Sequence, residues 1–290
     1  MNSDTVVRNA PLMLMVLLCW NGITFRSTVS AQTTSEESHG DVIPMQTSDG
    51  IEFGIWPGRP QKPAPTLIVL ASTIQATLGQ AYYRQCGNQL AEHGFLCVTI
   101  DLSCHGIQKR PDEPEGIAGW RYRCDRQENF ITDLNQRLSA VLTWLIEQQL
   151  TDPERIAVCG TSRGGYSALQ YAASDSRVRC VAAFAPVTDL SKLSEFQGAE
   201  NNPLVQALSL ENSAPRLAGR SVWLIIGDRD LRVSTDSAVR FARQVTEQSL
   251  TAKVSPDVDL HVVAEPKGHT TPAGAPEMAS TWILRKLSNN

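Results

Sequence analysis

The sequence predicts an α/β fold in which helices cover both faces of a mostly parallel central sheet. Short apolar runs alternate along the chain with segments of helical periodicity, an order typical of such folds. The apolar runs are nearly continuous, as expected for parallel strands buried on both faces. No internal repeat or low-complexity linker divides the chain. We therefore expect one domain over residues 49–290, preceded by a flexible polar lead-in at residues 32–48.

The composition is that of a globular protein. Apolar residues make up 42% of the 290 residues and charged residues 19%, which argues against a disordered chain. The net charge of −4 gives no indication of a polybasic surface, so we expect no nucleic-acid partner.

The first residues have the pattern of an export signal. Arg8 precedes the apolar run PLMLMVLLCW, and Val29 and Ala31 form a small-residue cleavage site further on. The run is shorter than the about 20 apolar residues that span a bilayer. We interpret residues 1–31 as a cleaved signal peptide and expect a periplasmic or secreted protein without stable membrane insertion. An uncleaved anchor is the alternative.

The individual elements follow from the apolar pattern and its breaks. Strands are predicted at residues 50–56, 66–70, 95–101, 155–160, 177–187, 221–228 and 258–266. Helices are predicted at residues 82–93, 129–150, 163–173, 234–248 and 277–287. Residues 105–125 are expected to form a long polar loop. Only about thirty residues separate the fifth and sixth predicted strands, so we expect a small lid or none.

Ser162 is the first candidate for chemistry. It lies in Gly160-Thr161-Ser162-Arg163-Gly164, a G-x-S-x-G motif between a predicted buried strand and a predicted helix. Such a strand-to-helix turn exposes the serine hydroxyl, and glycines are needed because side chains there would clash with neighbouring backbone. The alternative is a tight strand-to-helix turn without a catalytic role.

A histidine and a carboxylate are needed to activate a serine, and both follow later strands. His269 follows the last predicted strand, and Asp228 and Asp230 follow the strand before it. We choose Asp230, because Asp228 is suited to bonding loop amides. His105 also follows a strand and is the main rival to His269, but it precedes the serine.

These motifs resemble the α/β-hydrolase superfamily, in particular its dienelactone hydrolase and prolyl-oligopeptidase-like branch of serine hydrolases. The resemblance is carried by DPERIAVCGTSRGG, by the Gly-x-x-Asp-x-x-Val pattern of residues 227–233, by the Gly-His pair at 268–269 and by DLSCHG after an earlier strand. It covers about residues 51–288 and supports Asp230 over Asp228.

The resemblance implies an oxyanion hole built from two backbone amides. One belongs to the residue after the nucleophile, here Arg163, and the other to the loop after the strand at residues 66–70. Family members often have His-Gly in that loop, whereas this chain has Ala71-Ser72-Thr73. Because the donor is a backbone group, the loss of that pair need not abolish the hole, and Ser72 or Thr73 is the candidate donor.

Six cysteines follow the predicted signal peptide, and the export prediction permits disulfides. Cys104 and Cys124 are the best candidates for a bridge, because both lie in loop-like sequence, whereas Cys97, Cys159 and Cys180 lie in apolar runs. No His or Cys spacing indicates a metal site, so no metal or cofactor is expected.

The predicted activity is that of a serine hydrolase that cleaves carboxylic esters through an acyl-enzyme. The expected substrate is a small-molecule or carbohydrate-linked ester, and Trp120, Arg121 and Arg123 are candidates to line the rim of the site, the alternative being a solvated charged loop. We expect no propeller before the domain, which favours an esterase over a peptidase or amidase. A catalytically silent binding protein on the same scaffold is the other alternative.

Overall fold

The computed structural model describes residues 43–265 and 267–288, and these residues form one eight-stranded sheet. The predicted signal peptide lies outside the described residues. The strands are β1 (Ile43–Gln46), β2 (Glu52–Trp56), β3 (Ala64–Leu70), β4 (Leu96–Thr99), β5 (Thr151–Thr161), β6 (Cys180–Phe184), β7 (Ser221–Gly227) and β8 (Asp257–Val263).

The strand order across the sheet is β1-β2-β4-β3-β5-β6-β7-β8. β1 and β2 are antiparallel to each other, and β2 is antiparallel to β4. The remaining neighbours in this order, β4-β3, β3-β5, β5-β6, β6-β7 and β7-β8, are parallel. The carboxyl ends of β3 to β8 therefore lie along the same edge of the sheet, where the loops of an open α/β sheet form a crevice. The predicted fold class is confirmed.

Helices cover both faces of the sheet. They are α1 (Ile74–Gly79), α2 (Ala81–Arg84), α3 (Gly87–Glu92), α4 (Ile117–Asp125), α5 (Phe130–Glu147), α6 (Arg163–Ser174), α7 (Pro203–Ala207), α8 (Thr235–Thr251) and α9 (Ala275–Ser288). Short 3₁₀ helices occur at Gly106–Gln108, Leu190–Lys192, Ser194–Phe196 and Leu210–Leu217. None of the helices among the described residues is long and apolar enough to cross a bilayer.

Two apolar clusters lie on opposite faces of the sheet, because successive side chains of a strand point to opposite faces. In β3, Ile68 and Leu70 join the cluster that contains side chains of α5, α6 and α8. Leu67 and Val69 join the second cluster, which contains side chains of α3 and α9. This burial on both faces explains why the strands read as continuous apolar runs.

The start of the domain differs from the prediction. Residues 32–48 were expected to be a flexible lead-in, but β1 begins at Ile43 and pairs with β2 in a register that sets Ile43 opposite Ile55. The edge strand is four residues long and contains Pro44, so its local signal is weak. Pairing with β2 stabilises it.

Two element predictions in the first half of the chain are wrong. The helix predicted at residues 82–93 is divided into α2 and α3 by Gln85, whose φ of +48° interrupts helical geometry. The loop predicted at residues 105–125 contains α4. In α4, Arg123 is buried because it forms an ion pair of 2.7 Å with buried Glu113. The Glu113 carboxyl is partly desolvated, but hydrogen bonds from Arg123 and from the Arg110 amide hold its pKa at about 2.

The candidate bridge between Cys104 and Cys124 is not formed. Both side chains are free thiols in the apolar cluster that contains α5, and burial raises the pKa of each to about 12. α4 places Cys124 in the core, although the polar sequence around this residue is typical of an exposed loop. The other cysteines of the described chain are also free and buried.

Candidate active site

Three side chains from three loops meet at the carboxyl edge of the sheet. Ser162 follows β5, Asp230 follows β7 and His269 follows β8. The Ser162 Oγ lies 2.9 Å from His269 Nε2, and His269 Nδ1 lies 2.7 Å from Asp230 Oδ2. The carboxylate can only accept at this distance, so Nδ1 carries the ring proton and Nε2 is left as an acceptor for the serine hydroxyl.

Ser162 occupies a strained turn between β5 and α6. Its φ of +54° and ψ of −115° lie in a region that non-glycine residues rarely adopt. The turn is fixed because the Ser162 N–H donates to Phe184 O at 2.9 Å and the Ser162 carbonyl accepts from Tyr166 N and Val187 N. The hydroxyl is thereby held outside the helix, as the G-x-S-x-G motif predicts.

Two glycines of the motif permit this turn. A Cβ on Gly164 would lie far inside van der Waals contact with the carbonyl oxygen of Leu70, and a Cβ on Gly160 would overlap the carbonyl of Gly164. Both obstacles are backbone atoms, which cannot rotate away. The glycines are therefore required by the close approach of α6 to the ends of β3 and β5.

Replacing Gly164 with alanine is expected to lower the free energy of unfolding by at least about 2 kcal/mol, because overpacking against fixed backbone is costly. Gly79→Ala is the matched control, since a Cβ at Gly79 meets no atom within 4 Å. Urea denaturation of both variants measures the difference. Equal midpoints for Gly164→Ala and the wild type would contradict the required close approach.

The two candidate acids have different partners. Asp230 is 1% exposed, and its Oδ1 accepts from the Arg232 and Val233 amides at 3.0 and 3.1 Å, which leaves Oδ2 for His269. Asp228 Oδ1 instead accepts from the Glu265 amide at 3.0 Å. The structure therefore brings Asp230, the chosen residue, to the histidine, and Asp228 ties the loop after β7 to the loop after β8.

His105, the rival histidine, contributes to the structure of its own loop. Its Nδ1 lies 2.9 Å from Ser103 O, and the ring packs edge-on against Trp120. Burial lowers its pKa to about 4, so the ring is neutral at physiological pH. His93 and His261 lie just after α3 and within β8, and His39 lies outside the described residues.

The predicted oxyanion donors lie on two adjacent segments. Arg163 is the first residue of α6, so its N–H has no acceptor within the helix. Ser72 and Thr73 lie between β3 and α1, where Ser72 O accepts from Leu102 N and Thr73 Oγ1 accepts from Ala76 N. Among the described residues, the N–H groups of Ser72 and Thr73 donate to no protein acceptor.

Asp101 positions the loop that carries Ser72 and Thr73, a role the sequence analysis missed. Its Oδ1 accepts from Ile74 N at 2.6 Å and its Oδ2 from Ile107 N at 2.9 Å, and it is 6% exposed. The carboxylate thus joins the start of α1 to the segment after β4. The available signal was its place in DLSCHG, directly after a strand.

The three candidates to line the rim are held by protein partners. Trp120 and Arg123 are buried, Trp120 with its Nε1 donating to Ser103 O at 2.8 Å. Arg121 pairs with Asp125 at 2.8 Å and donates to the carbonyls of Glu195 and Gln197. The rim prediction assumed a loop, whereas α4 turns these side chains toward protein partners.

The described residues contain no group of three His, Cys, Asp or Glu side chains arranged to bind a metal ion. The polar groups that the site does contain are a hydroxyl, an imidazole and a carboxylate in series, and the residue after the serine has a backbone N–H without an acceptor in its helix. This set is suited to proton transfer and to stabilisation of a developing oxyanion.

Residues 132–278, half of the chain, match the sequence profile of the prolyl oligopeptidase family. This segment includes Ser162, Asp230 and His269. The chain belongs to the prolyl oligopeptidase family. The assignment confirms the resemblance to the prolyl-oligopeptidase-like branch of the α/β-hydrolases and places the chain among hydrolases.

Similar curated proteins match this chain over part of its length. Hydrolyase poxO of Penicillium oxalicum is 31% identical over 169 residues, which are 58% of this chain and 37% of that protein. An uncharacterized 31.7 kDa protein of the traX-finO intergenic region of Escherichia coli is 26% identical over 153 residues, which are 50% of this chain and 48% of that protein. The matches thus span less than half the length of these relatives.

Solved structures with the same fold include proteins named as esterases. Pyrococcus furiosus esterase Pf2001 superimposes with a TM-score of 0.57 at 20% identity, covering 84% of this chain and 89% of that chain. TT1662 of Thermus thermophilus gives 0.63 at 20% identity, covering 86% and 100%. Acetyl xylan esterase of Paenibacillus sp. R4 gives 0.60 at 17% identity, covering 88% and 86%. At these identities the similarity concerns the fold.

Proposed function

We propose that this protein is a serine hydrolase that cleaves carboxylic esters through an acyl-enzyme, with Ser162 as nucleophile, His269 as general base and Asp230 as the residue that orients the imidazole. The observation that carries the proposal is the continuous hydrogen-bonded series from Ser162 Oγ through His269 to Asp230, at 2.9 and 2.7 Å. The strained turn at Ser162 supports it, because such strain is typical of functional sites.

In the proposed reaction, Ser162 Oγ attacks the ester carbonyl while its proton passes to His269 Nε2. The buried Asp230 carboxylate stabilises the resulting imidazolium through Nδ1. The N–H of Arg163 and an N–H of Ser72 or Thr73 donate to the oxyanion. His269 then protonates the departing alkoxide. In the second half, water loses a proton to His269 and attacks the acyl-enzyme. His269 then returns the proton to the Ser162 oxygen as the acid is released.

The same groups can cleave an amide if His269 protonates an amine leaving group, and the family assignment favours this second candidate. The esterase proposal is supported by the several esterases that share the fold, and by the short helices between β6 and β7 in place of a large lid. Turnover of 4-nitrophenyl acetate compared with aminoacyl-4-nitroanilides separates the two activities, and we expect faster turnover of the ester.

A fluorophosphonate probe tests the nucleophile directly. We expect stoichiometric labelling of the folded protein, with the modification mapped by mass spectrometry to the peptide that contains Ser162. Heat-denatured protein is the control, because labelling requires the preorganised site. Absence of labelling in folded protein would contradict the enzyme proposal and favour the silent scaffold. Labelling at another residue would contradict the assignment of Ser162.

A further inference from the structure

The side chain of Arg163, the residue after the proposed nucleophile, contacts the loop after β3. Arg163 directly follows Ser162, and its half-buried side chain reaches the loop after β3, where Nε donates to Ala71 O at 3.3 Å. Ala71 immediately precedes Ser72 and Thr73. The side chain therefore runs between the two segments whose amides are proposed to hold the oxyanion.

The Arg163 charge has no direct counter-ion within the described residues. The neighbouring arginines are paired, Arg121 with Asp125, Arg123 with Glu113 and Arg232 with Glu195, whereas no described carboxylate lies within 4.0 Å of Arg163. Glu115 and Glu195 act on it only at longer range.

The donors of this guanidinium are only partly used. A guanidinium has five N–H donors, and among the described residues the hydrogen bond to Ala71 uses the Nε–H alone. Burial lowers the pKa of Arg163, which shows that part of its hydration is lost, yet a guanidinium remains charged in proteins. A partly desolvated charge without a partner is unfavourable unless an anion joins it.

The backbone of Gly116 lies beside the Arg163 guanidinium. Gly116, the residue before α4, has a φ of +72°, and a Cβ built there would lie 4.0 Å from Arg163 Nη1. The nearby ring of His105 is neutral and cannot compete as a cation for a bound anion. A Cβ at residue 116 would also lie 3.5 Å from His105 Nε2, so the glycine keeps a side chain away from both Arg163 Nη1 and His105 Nε2.

We propose that Arg163 binds an anionic group of the substrate, so that the preferred substrates are carboxylic esters that carry a carboxylate near the scissile carbonyl. This inference rests on the proposed ester hydrolysis. The Nη groups of a guanidinium match the two oxygens of a carboxylate, which explains the use of arginine rather than lysine here. Arg163 then has the role for which Arg121 and Arg123 were candidates in the sequence.

Two pairs of esters test the proposal. In the first, 4-nitrophenyl hydrogen glutarate and methyl 4-nitrophenyl glutarate differ by a carboxylate on the acyl side. In the second, 4-acetoxybenzoate and methyl 4-acetoxybenzoate differ by a carboxylate on the leaving group. The readout is the ratio of kcat/KM for the anionic ester to kcat/KM for its neutral partner, compared between the wild type and Arg163→Gln.

We expect Arg163→Gln to lower this ratio about 10- to 100-fold in at least one pair, as expected for loss of a charged hydrogen bond. Arg163→Lys should give an intermediate ratio, because an ammonium keeps the charge without the fork of two donors. If Arg163→Gln does not fold, the lysine variant alone tests the proposal through its reduced ratio. The pair that responds identifies the side of the ester that carries the anion.

Arg121→Gln is the matched control, because Arg121 is paired with Asp125, and its ratios should equal those of the wild type. Unchanged ratios in Arg163→Gln for both pairs would overturn the anion subsite and leave ester hydrolysis standing. An equal loss on anionic and neutral esters would also overturn it, since Arg163 would then act only through the shape of the loop. If the wild type neither cleaves any of these esters nor reacts with the fluorophosphonate, the proposed function itself fails.

Discussion

Replacing Ser162 with alanine is expected to lower kcat for 4-nitrophenyl acetate by a factor on the order of 10⁴ to 10⁶, since removing a nucleophilic serine has an effect of this size in serine hydrolases. Without Oγ no acyl-enzyme forms, and only direct attack by water remains. The fold should be retained, because the His269 side chain is 28% exposed and water can replace the lost hydrogen bond. Turnover assays measure kcat, and circular dichroism on the same sample measures whether the fold is retained.

Thr161→Val is the matched control for this variant. Thr161 is adjacent to Ser162, and its Oγ1 is buried without a hydrogen-bond partner among the described residues. Valine has nearly the same shape, so kcat should remain close to the wild-type value. A Ser162→Ala protein that retained more than about 1% of kcat would identify another nucleophile, because the residual rate in such variants is far lower.

The candidate site was predictable from the sequence because its signals are local. Ser162, Asp230 and His269 each follow a continuous apolar run, and parallel strands bring the ends of such runs to one edge. The choice of Asp230 over Asp228 required the spacing within a single loop. No contact between distant segments had to be known in order to name these residues.

The predictions failed where tertiary contacts decide the structure. α4 was missed because the burial of Arg123 depends on Glu113, ten residues earlier, and no helical periodicity indicates such a pair. β1 was missed because four residues form a strand only through pairing with β2. Cys104 and Cys124 were candidates for a bridge for the same reason that α4 was missed, since both interpretations assumed an exposed loop.

The second large effect is expected from Asp230→Asn, which should lower kcat by a factor on the order of 10⁴ with KM little changed. The Arg232 and Val233 amides both donate to Oδ1, so they fix the amide oxygen of an asparagine in that position. The amide nitrogen must then face His269 Nδ1 in place of Oδ2. Because that nitrogen is a donor, Nδ1 has to become an acceptor and the ring proton moves to Nε2.

A proton on Nε2 prevents His269 from accepting the proton of Ser162. The chemical step is therefore slowed, while the shape of the side chain at position 230 is preserved. Asp228→Asn is the matched control, because its Oδ1 can still accept from Glu265 N as an amide oxygen, and kcat should remain near that of the wild type. A greater loss of kcat in Asp228→Asn than in Asp230→Asn would transfer the orienting role to Asp228. The kinetics of the two variants therefore decide between two acids that lie only two positions apart in the sequence. The two acids differ in their hydrogen-bond partners, because Asp230 reaches His269 and Asp228 accepts from the Glu265 amide.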